Sequence, residues 1–234
     1  MSKKSLILDC TIRDGGIIND FDFTTDFVKK CIETVEKSGC DYCEVGYIHD
    51  KEFVMSYDNF WKNIDIIELS KIIQKPKIKL SVMGDVGKFS SNLIPEKTSS
   101  VVVDLIRVAG PKEKLKEMLD LTGEISLKGY ETSINLMFSS HYTDLDWREV
   151  VSTFNHSRFK PTFIYFADSF GNLKPNEIPT IVEYLKSIDN IKVGFHGHNH
   201  LQLAFANTLV AIEKNVDIVD STIWGMGKGP GNLP

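Results

Sequence analysis

The strongest constraint on the fold is a regular alternation of short apolar segments with amphipathic segments of helical periodicity. The predicted strands are residues 6–11, 42–48, 77–84, 101–109, 132–139, 162–168, 191–198 and 216–223. The clearest helical segments are residues 25–39, 61–73, 111–126, 146–154, 176–188 and 201–215. Such alternation is typical of parallel strands joined by helical crossovers. Eight strands, each of the first seven followed by a helix or a helix-sized segment, favour an α/β fold closed as a (β/α)8 TIM barrel, with a doubly wound open sheet as the alternative.

No linker, low-complexity tract or internal repeat interrupts this alternation, so residues 1–234 are predicted to form a single TIM-barrel domain. A complete barrel carries a helix after its eighth strand, whereas residues 224–234 read WGMGKGPGNLP. We therefore expect the last helix to be missing from this chain, either because it lies on a segment not present here or because the barrel is a shortened form.

Charge and hydrophobicity exclude several classes of partner. The chain has 27 basic and 32 acidic residues and no basic stripe, which argues against nucleic-acid binding. Asp9 interrupts the N-terminal apolar run, which is too short for a signal peptide. No stretch approaches the roughly 18 apolar residues of a membrane span. A cytoplasmic protein without membrane or nucleic-acid partners is the expectation.

Polar side chains cluster where the predicted strands end. In a (β/α)8 barrel the reactive groups gather at the C-terminal ends of the strands. The polar residues at or just after these ends are Arg13, Asp14, Glu44, His49, Arg107, His141, Ser169, His196, His198 and His200. We therefore predict a functional site on that face of the barrel.

Three histidines alternate in the sequence GFHGHNH of residues 194–200. His196 and His198 lie two residues apart on a predicted strand, so their side chains leave the same face with Cα atoms about 6–7 Å apart. Two imidazoles opposite an inward carboxylate could bind Zn, Mn, Fe or Co, and more oxygen ligands would favour Mn or Mg. A structural role is the alternative. His200 has the same parity but lies past the strand, where it could cap a helix, line a substrate pocket or face solvent.

Arg13 and Asp14 end the first predicted strand and precede Gly15 and Gly16. The two glycines are expected to leave the backbone free to bend towards the site. A carboxylate supplies an oxygen ligand, and a guanidinium offers a planar fork for a carboxylate or enolate. A surface ion pair is the alternative. The late GMGKGPGN sequence is neither a P-loop nor a dinucleotide fingerprint, and is predicted to approach a ligand closely and to present Asn232.

Three blocks of sequence, in this order, resemble the DRE-TIM (HMGL-like) metallolyases: LDCTIRDGG at residues 8–16, GFHGHNHLQLAFANTLVAI at 194–212 and GMGKGPGN at 225–232. That family includes 4-hydroxy-2-oxovalerate aldolase, hydroxymethylglutaryl-CoA lyase and isopropylmalate synthase. The similarity spans nearly the whole chain. The first block and the ADSFG of residues 167–171 look closest to the aldolase-like branch.

The resemblance implies a barrel that holds one divalent metal, with Mn2+ or Mg2+ favoured and Zn2+ or Co2+ as alternatives. Asp14, His196 and His198 match the family's metal ligands, and Asn232 matches a further ligand of some members. Arg13 matches the arginine that stabilises an enolate oxygen, and Glu44 matches a pocket glutamate. Arg107, Ser169 and His200 are predicted to bind substrate.

The sequence differs from the family pattern at the position of the general base. Aldolases of this family carry a histidine a few residues after R-D-G, whereas residues 16–20 here are GIIND. His141 and His49 are the predicted replacements, with Tyr142 and Asp20 behind them.

The predicted function is a carbon–carbon lyase or aldolase that forms the enolate of a pyruvate-like keto acid and uses an aldehyde as the second substrate. The alternatives are a Claisen-type acyl-CoA-dependent synthase and a non-catalytic barrel that binds a metabolite or joins a complex. Because members of the family often associate, a homo-oligomer or a partner subunit is expected.

Overall fold

The computed structural model describes residues 4–55, 58–74 and 76–234, and its centre is a closed barrel of eight parallel strands in chain order. The strands are β1 (Leu6–Asp9), β2 (Tyr42–Tyr47), β3 (Lys79–Asp85), β4 (Val103–Gly110), β5 (Glu131–Leu136), β6 (Phe163–Asp168), β7 (Lys192–Gly197) and β8 (Ile218–Ser221). β1 pairs with both β2 and β8, which closes the barrel. The predicted TIM barrel is confirmed, and the open sheet is excluded.

Seven α-helices accompany the strands in the part of the chain that the structure describes. They are α1 (Thr11–Gly15), α2 (Thr25–Ser38), α3 (Ile66–Ile72), α4 (Leu115–Leu127), α5 (Asp144–His156), α6 (Ile178–Lys186) and α7 (Ala204–Glu213). In α2 the Thr24 side chain caps the first turn, and Gly39, with φ 86°, ends the helix as its spacing predicts. Among the described helices, none has the length and apolar character to cross a membrane.

Two connections differ from a regular repeat. Residues 86–102 join β3 to β4 with only a 3-10 turn, Ser91–Leu93, although a helix-sized segment is predicted there. Gly87, Pro95 and a run of serines disfavour a helix, and the buried side chains of Phe89 and Ile94 cover the barrel instead. After β8 the chain forms a 3-10 turn and continues to Pro234 without an α-helix, as expected.

The barrel interior is filled from its N-terminal side. The apolar plug consists of the inward-facing Leu8, Tyr42, Leu105, Phe163 and Ile218. A second, larger core lies between the strands and the helices, where α2 buries Val28, Ile32 and Val35. Because the plug closes one end of the barrel, the polar inward-facing residues of the strands lie above it, towards the C-terminal ends.

Candidate active site

A cavity of about 700 Å3 opens at the C-terminal ends of the strands. Its volume lies within the range of about 300–1,000 Å3 that is usual for small-molecule sites. The predicted site residues that line it are Arg13, Asp14, His141, Ser169, His196, His198 and His200. The structure therefore brings these seven residues together around one space.

Arg13 and Asp14 reach the cavity from the single-turn helix α1, which begins directly after β1. The Asp9 carboxylate holds this turn by accepting hydrogen bonds from the backbone nitrogen of Thr11 at 3.0 Å and from its hydroxyl at 2.9 Å. Burial raises the pKa of Asp9 to about 6, and the bonds from Thr11 oppose that rise. The buried carboxylate fixes where the two functional side chains leave the backbone.

Gly15 and Gly16 serve packing rather than the bend that the sequence suggests. Gly16 has an ordinary helical φ of −58°. A Cβ atom on Gly15 would lie 2.8 Å from the sulfur of Met226, and one on Gly16 would lie 2.4 Å from the ring of Phe21. The missing side chain of Gly15 lets the late glycine loop approach α1, and that of Gly16 leaves room for the Phe21 ring, which corrects the expectation of a flexible backbone.

Asp14, His196 and His198 form a compact, buried donor group. One potential ligand atom from each lies within 4.8 Å of the other two, and His196 Nε2 is 3.7 Å from Asp14 Oδ2. An isolated antiparallel bridge joins His198 to Asn232, whose side-chain nitrogen donates to Asp14. The buried Oδ1 of Asn232 has no hydrogen-bond partner in the described parts of the chain. A mixed nitrogen and oxygen donor set with an unused oxygen fits a divalent cation.

The protonation states of this group suit metal binding. Burial raises the pKa of Asp14, but Arg13, His196 and His198 outweigh it, so the pKa lies below the usual value. Burial and the neighbouring His196 lower the pKa of His198 to about 4. At neutral pH the carboxylate is ionised and the His198 imidazole is neutral, which are the forms that coordinate metals.

Asp220 of β8 orients His196 from below. Its Oδ2 lies 2.9 Å from His196 Nδ1 and accepts a hydrogen bond of 2.7 Å from Arg107 Nη2. Although burial opposes ionisation, Arg107 and His196 lower the pKa of Asp220 to about 2. An ionised Asp220 favours a proton on His196 Nδ1 and leaves Nε2 facing Asp14.

Cys10, His196 and Asp220 form a second group with metal-ligand spacing. Its Asp220 oxygen is already engaged by Arg107 and His196, and burial raises the pKa of the Cys10 thiol well above its usual value. The group around Asp14 is therefore the better cation site. The sequence pointed to Asp220 only through its position two residues after the inward-facing Ile218.

Glu44 and Arg107 lie beneath the cavity floor. Glu44 Oε2 accepts a hydrogen bond of 2.7 Å from Arg13 Nε and one of 3.0 Å from Arg107 Nη1. Both Glu44 and Arg107 are completely buried, and neither lines the cavity. The structure thus places Arg107, predicted to bind substrate, and Glu44, predicted to be a pocket residue, beneath the cavity surface rather than on it. We call Glu44, Arg107, Arg13, Asp14, His196 and Asp220 together the buried charge network.

Within this network, Arg13 places its positively charged guanidinium at the cavity surface. Burial opposes its charge, but Glu44 and Asp14 hold its pKa well above the usual value. Its Nη1 lies 3.2 Å from Asp14 Oδ1, and its guanidinium lies over the Tyr47 ring at 5.8 Å. The guanidinium is thus permanently charged and held in one orientation beside the donor group.

Of the four predicted base candidates, His141 alone lines this cavity. It is exposed at the rim, and its ring stacks on Phe170 with a centroid separation of 4.6 Å. The His49 ring lies outside the cavity against Tyr47, with Nδ1 3.3 Å from the carbonyl oxygen of Lys62, and burial lowers its pKa. The structure therefore places His49 outside the cavity, away from the position that its predicted role requires.

The two remaining candidates also lie elsewhere. The Tyr142 hydroxyl donates to the carbonyl oxygen of Met137 at 2.9 Å, and Tyr142 lines a neighbouring depression. Asp20 pairs with Lys62 at 2.9 Å on the surface. Neither side chain is among those that line the cavity.

Tyr47 and Lys228 line the cavity although sequence reasoning did not select them. A register shift between Glu44 and Tyr47 breaks the alternation of β2. At this bulge Gly46 has φ 152°, and a Cβ atom there would lie 2.0 Å from the backbone oxygen of Trp61. Lys228 is the cation of the GMGKGPGN loop, and this could have marked it as a group for an anionic substrate.

Comparison with known proteins identifies the family of this chain. A family model described as HMGL-like matches residues 4–234. The chain is 25% identical to an oxaloacetate decarboxylase of Mycobacterium tuberculosis over 98% of its own length and 67% of that protein. It is 26% identical to a 4-hydroxy-2-oxovalerate aldolase of Carboxydothermus hydrogenoformans over 99% of its length and 68% of that protein. The chain thus spans about two thirds of the length of these curated relatives.

Among solved structures, the N-terminal domain of a candidate aldolase from Bacteroides vulgatus superposes with a TM-score of 0.84 and 27% sequence identity. The match covers 97% of this chain and 76% of that one. The named relatives, a decarboxylase and an aldolase, are lyases that cleave carbon–carbon bonds, in agreement with the predicted enzyme class. With the family model matched along almost its entire length, the chain belongs to the HMGL-like family, the DRE-TIM metallolyases.

Proposed function

We propose that this chain makes or breaks a carbon–carbon bond through the enolate of a pyruvate-like 2-keto acid, with a divalent metal as cofactor. One observation carries the proposal. The charged Arg13 guanidinium lies beside the Asp14, His196 and His198 donor group in a single cavity. A cation and a metal-ligand set at one point are what the negative charge of an enolate requires.

Asp14, His196 and His198, with Asn232 as a further ligand, would hold Mn2+ or Mg2+, and Zn2+ or Co2+ are the alternatives. When bound, the metal acts as a Lewis acid on the keto acid. Arg13 supplies a fixed positive charge for the enolate oxygen, and Glu44 keeps that guanidinium from turning away. Because the buried charge network is shielded from water, the Arg13 charge acts in a medium of low dielectric constant.

In the aldol direction, a base removes a proton from the methyl carbon of pyruvate. The resulting enolate carbon attacks the aldehyde carbon, a carbon–carbon bond forms, and the aldehyde oxygen takes up a proton. The reverse reaction cleaves the same bond. His141 is the candidate for these proton transfers because it lines the cavity.

Decarboxylation of a keto diacid such as oxaloacetate is the second candidate. Loss of carbon dioxide leaves the bonding electron pair as the enolate, which then needs only a proton donor. No proton has to be removed from carbon, so the absence of a histidine from residues 16–20 favours this reaction. A relative carrying that name supports it.

The test is metal-dependent exchange of the pyruvate methyl protons in deuterated water, followed by mass spectrometry together with metal analysis. We expect exchange with added Mg2+ or Mn2+, none with EDTA, and loss of both metal and exchange in His198→Ala. His156→Ala, on the exposed face of α5, is the matched control and should retain both. Retention of bound metal in His198→Ala would contradict the proposed ligand set, and absence of exchange in the metal-loaded wild type would overturn the pyruvate enolate.

Release of carbon dioxide from oxaloacetate, above the rate with free metal alone, separates the second candidate from the first. An enzyme that decarboxylates oxaloacetate but forms no aldol product from pyruvate and any of the aldehydes tested would be a decarboxylase.

A further inference from the structure

The two sides of the cavity differ in chemistry. The side formed by α1, the ends of β2 and β7, and the glycine loop carries Arg13, Asp14, His196, His198 and Lys228, with Ile17 and Tyr47 as its larger apolar members. The side formed by β3 to β6 and the loops after them carries an apolar wall. This wall consists of Met83, Ala109, Met137, Phe138, Ala167 and Phe170.

The polar groups on the side of the apolar wall are largely engaged within the protein. Asp85 pairs with Lys88 at 2.8 Å, and Asn135 Oδ1 accepts a hydrogen bond of 2.7 Å from the Ser133 hydroxyl. Ser169 Oγ accepts a hydrogen bond of 3.0 Å from the backbone nitrogen of Phe138. Asn172 is exposed, and the His141 ring is stacked on Phe170. This side therefore presents mainly apolar surface to a ligand.

Aromatic rings stand at the outer end of the apolar wall. Phe170 is 42% exposed and stacks on Phe138, with ring centroids 5.3 Å apart. The backbone of Phe138 is held at φ 62°, which is unfavourable for a bulky residue and persists only where its surroundings fix it. An apolar ligand group over Phe170 would remove this ring from water, which is favourable.

We infer that the aldehyde partner of the keto acid carries an apolar tail several carbons long, which lies along the apolar wall and against Phe170. This inference rests on the proposed function. The keto acid occupies the charged side, and the aldehyde carbon meets the enolate carbon between the two sides. The bond that forms and the proton that the aldehyde oxygen gains are those of any aldol addition, so no further reactant is needed. The cavity of about 700 Å3 leaves ample room for such a tail beyond a three-carbon keto acid.

The experiment compares acetaldehyde, butanal and hexanal as acceptors for pyruvate with the whole metal-loaded chain. Full burial of each methylene should raise kcat/KM about four-fold, so the four extra carbons of hexanal would raise it up to about 250-fold over acetaldehyde, and burial of only two of them would still give at least about ten-fold. Phe170→Ala should remove most of this preference, whereas Phe170→Leu should keep much of it. Phe205→Ala, an exposed phenylalanine on α7 outside the cavity, is the matched control and should keep the wild-type preference.

The outcomes separate this inference from the proposed function. If pyruvate exchanges its methyl protons but kcat/KM stays level or falls with chain length, the apolar tail is wrong and the enolate chemistry stands. A preference for hexanal that survives unchanged in Phe170→Ala also overturns the inference. If neither exchange nor any aldol product is found, the proposed function itself fails and the inference falls with it.

Discussion

The floor and the rim of the cavity are built in opposite ways. On the floor, the buried charge network links six side chains through hydrogen bonds and ion pairs of 2.7–3.7 Å, and several of its oxygens serve two partners. At the rim, His141, His200 and Lys228 are exposed. A floor held from several directions fixes the charge chemistry, while a rim held loosely can change with the substrate. Under the proposed function, the floor would stabilise the charge of the enolate, while the rim would hold His141 for proton transfer and the exposed groups that meet the substrate.

The largest expected effect comes from breaking the floor at its centre. Arg107→Met would leave Glu44 and Asp220 buried without their shared cation, and removal of one partner from a buried ion pair costs about 3–5 kcal/mol. Chemical denaturation should show a loss of that order in the free energy of unfolding. The surface substitution Arg148→Met should change it by about 0.5 kcal/mol or less. Equal effects of the two variants would show that the floor is not held by this network.

Arg13→Ala tests the one network cation that reaches the cavity. The exchange rate of pyruvate methyl protons should fall about 10²–10³-fold, the usual effect of removing one group that stabilises a developing oxyanion. Metal analysis should show that the variant still binds metal, since Asp14, His196 and His198 remain. An unchanged exchange rate would assign enolate stabilisation to another group.

The Asp9 carboxyl should make stability depend on pH. Its pKa in the folded protein, about 6, exceeds the ordinary value of 3.8, so its stabilising contribution is present below pH 3.8 and is lost as the pH rises through 6. Asp9→Asn abolishes this titration. The free energy of unfolding of the variant relative to wild type should therefore rise between pH 4 and pH 8 by up to about 3 kcal/mol. A constant difference across that range would show that the buried carboxyl has an unshifted pKa.

Asp220→Asn weakens the floor without removing a metal ligand. Loss of the carboxylate that orients a coordinating histidine typically lowers metal affinity about 10–100-fold. Titration calorimetry with Mn2+ on the apo-protein measures this directly. Asp217→Asn is unsuitable as a control because Asp217 accepts a hydrogen bond from the backbone nitrogen of Val193 in β7. Asp144→Asn, on exposed α5, serves instead and should bind Mn2+ as wild type does.

The smallest effect is expected at the rim. Lys228→Ala should raise the KM for pyruvate by less than about ten-fold and leave kcat nearly unchanged, because an exposed cation contributes about 1 kcal/mol or less. The effect should shrink further with added salt. A large fall in kcat would place Lys228 in the chemical step and would erase the contrast between rim and floor.

The features that could be predicted from the sequence depend on the spacing of residues within short segments of the chain. Strand and helix alternation predicted the barrel. The H-x-H spacing, the aspartate after the first strand and the family resemblance together predicted a donor group that the structure brings together. The depth of each inward-facing side chain along the barrel axis could not be predicted from the sequence, because it depends on how strands far apart in sequence are staggered. Alternation shows that Arg107 and Asp220 point inward, but only barrel closure shows that they meet each other beneath the floor.

Local irregularities account for the other differences. The bulge at Gly46 turns Tyr47 into the cavity against the parity of β2, and the position of His49 follows from its contacts with the Lys62 segment. The helix-sized segment between β3 and β4 contains no α-helix, because Gly87, Pro95 and the serines around them disfavour one.

The donor group spans the seam at which the barrel closes. Asp14 follows β1, while His196 and His198 belong to the end of β7, and Asn232 lies 218 residues from Asp14 along the chain. No folding intermediate in which β1 and β8 are still apart can present this complete group. Metal uptake would therefore mark the moment at which the two ends of the chain meet, and a metal bound only by the closed barrel would slow its reopening.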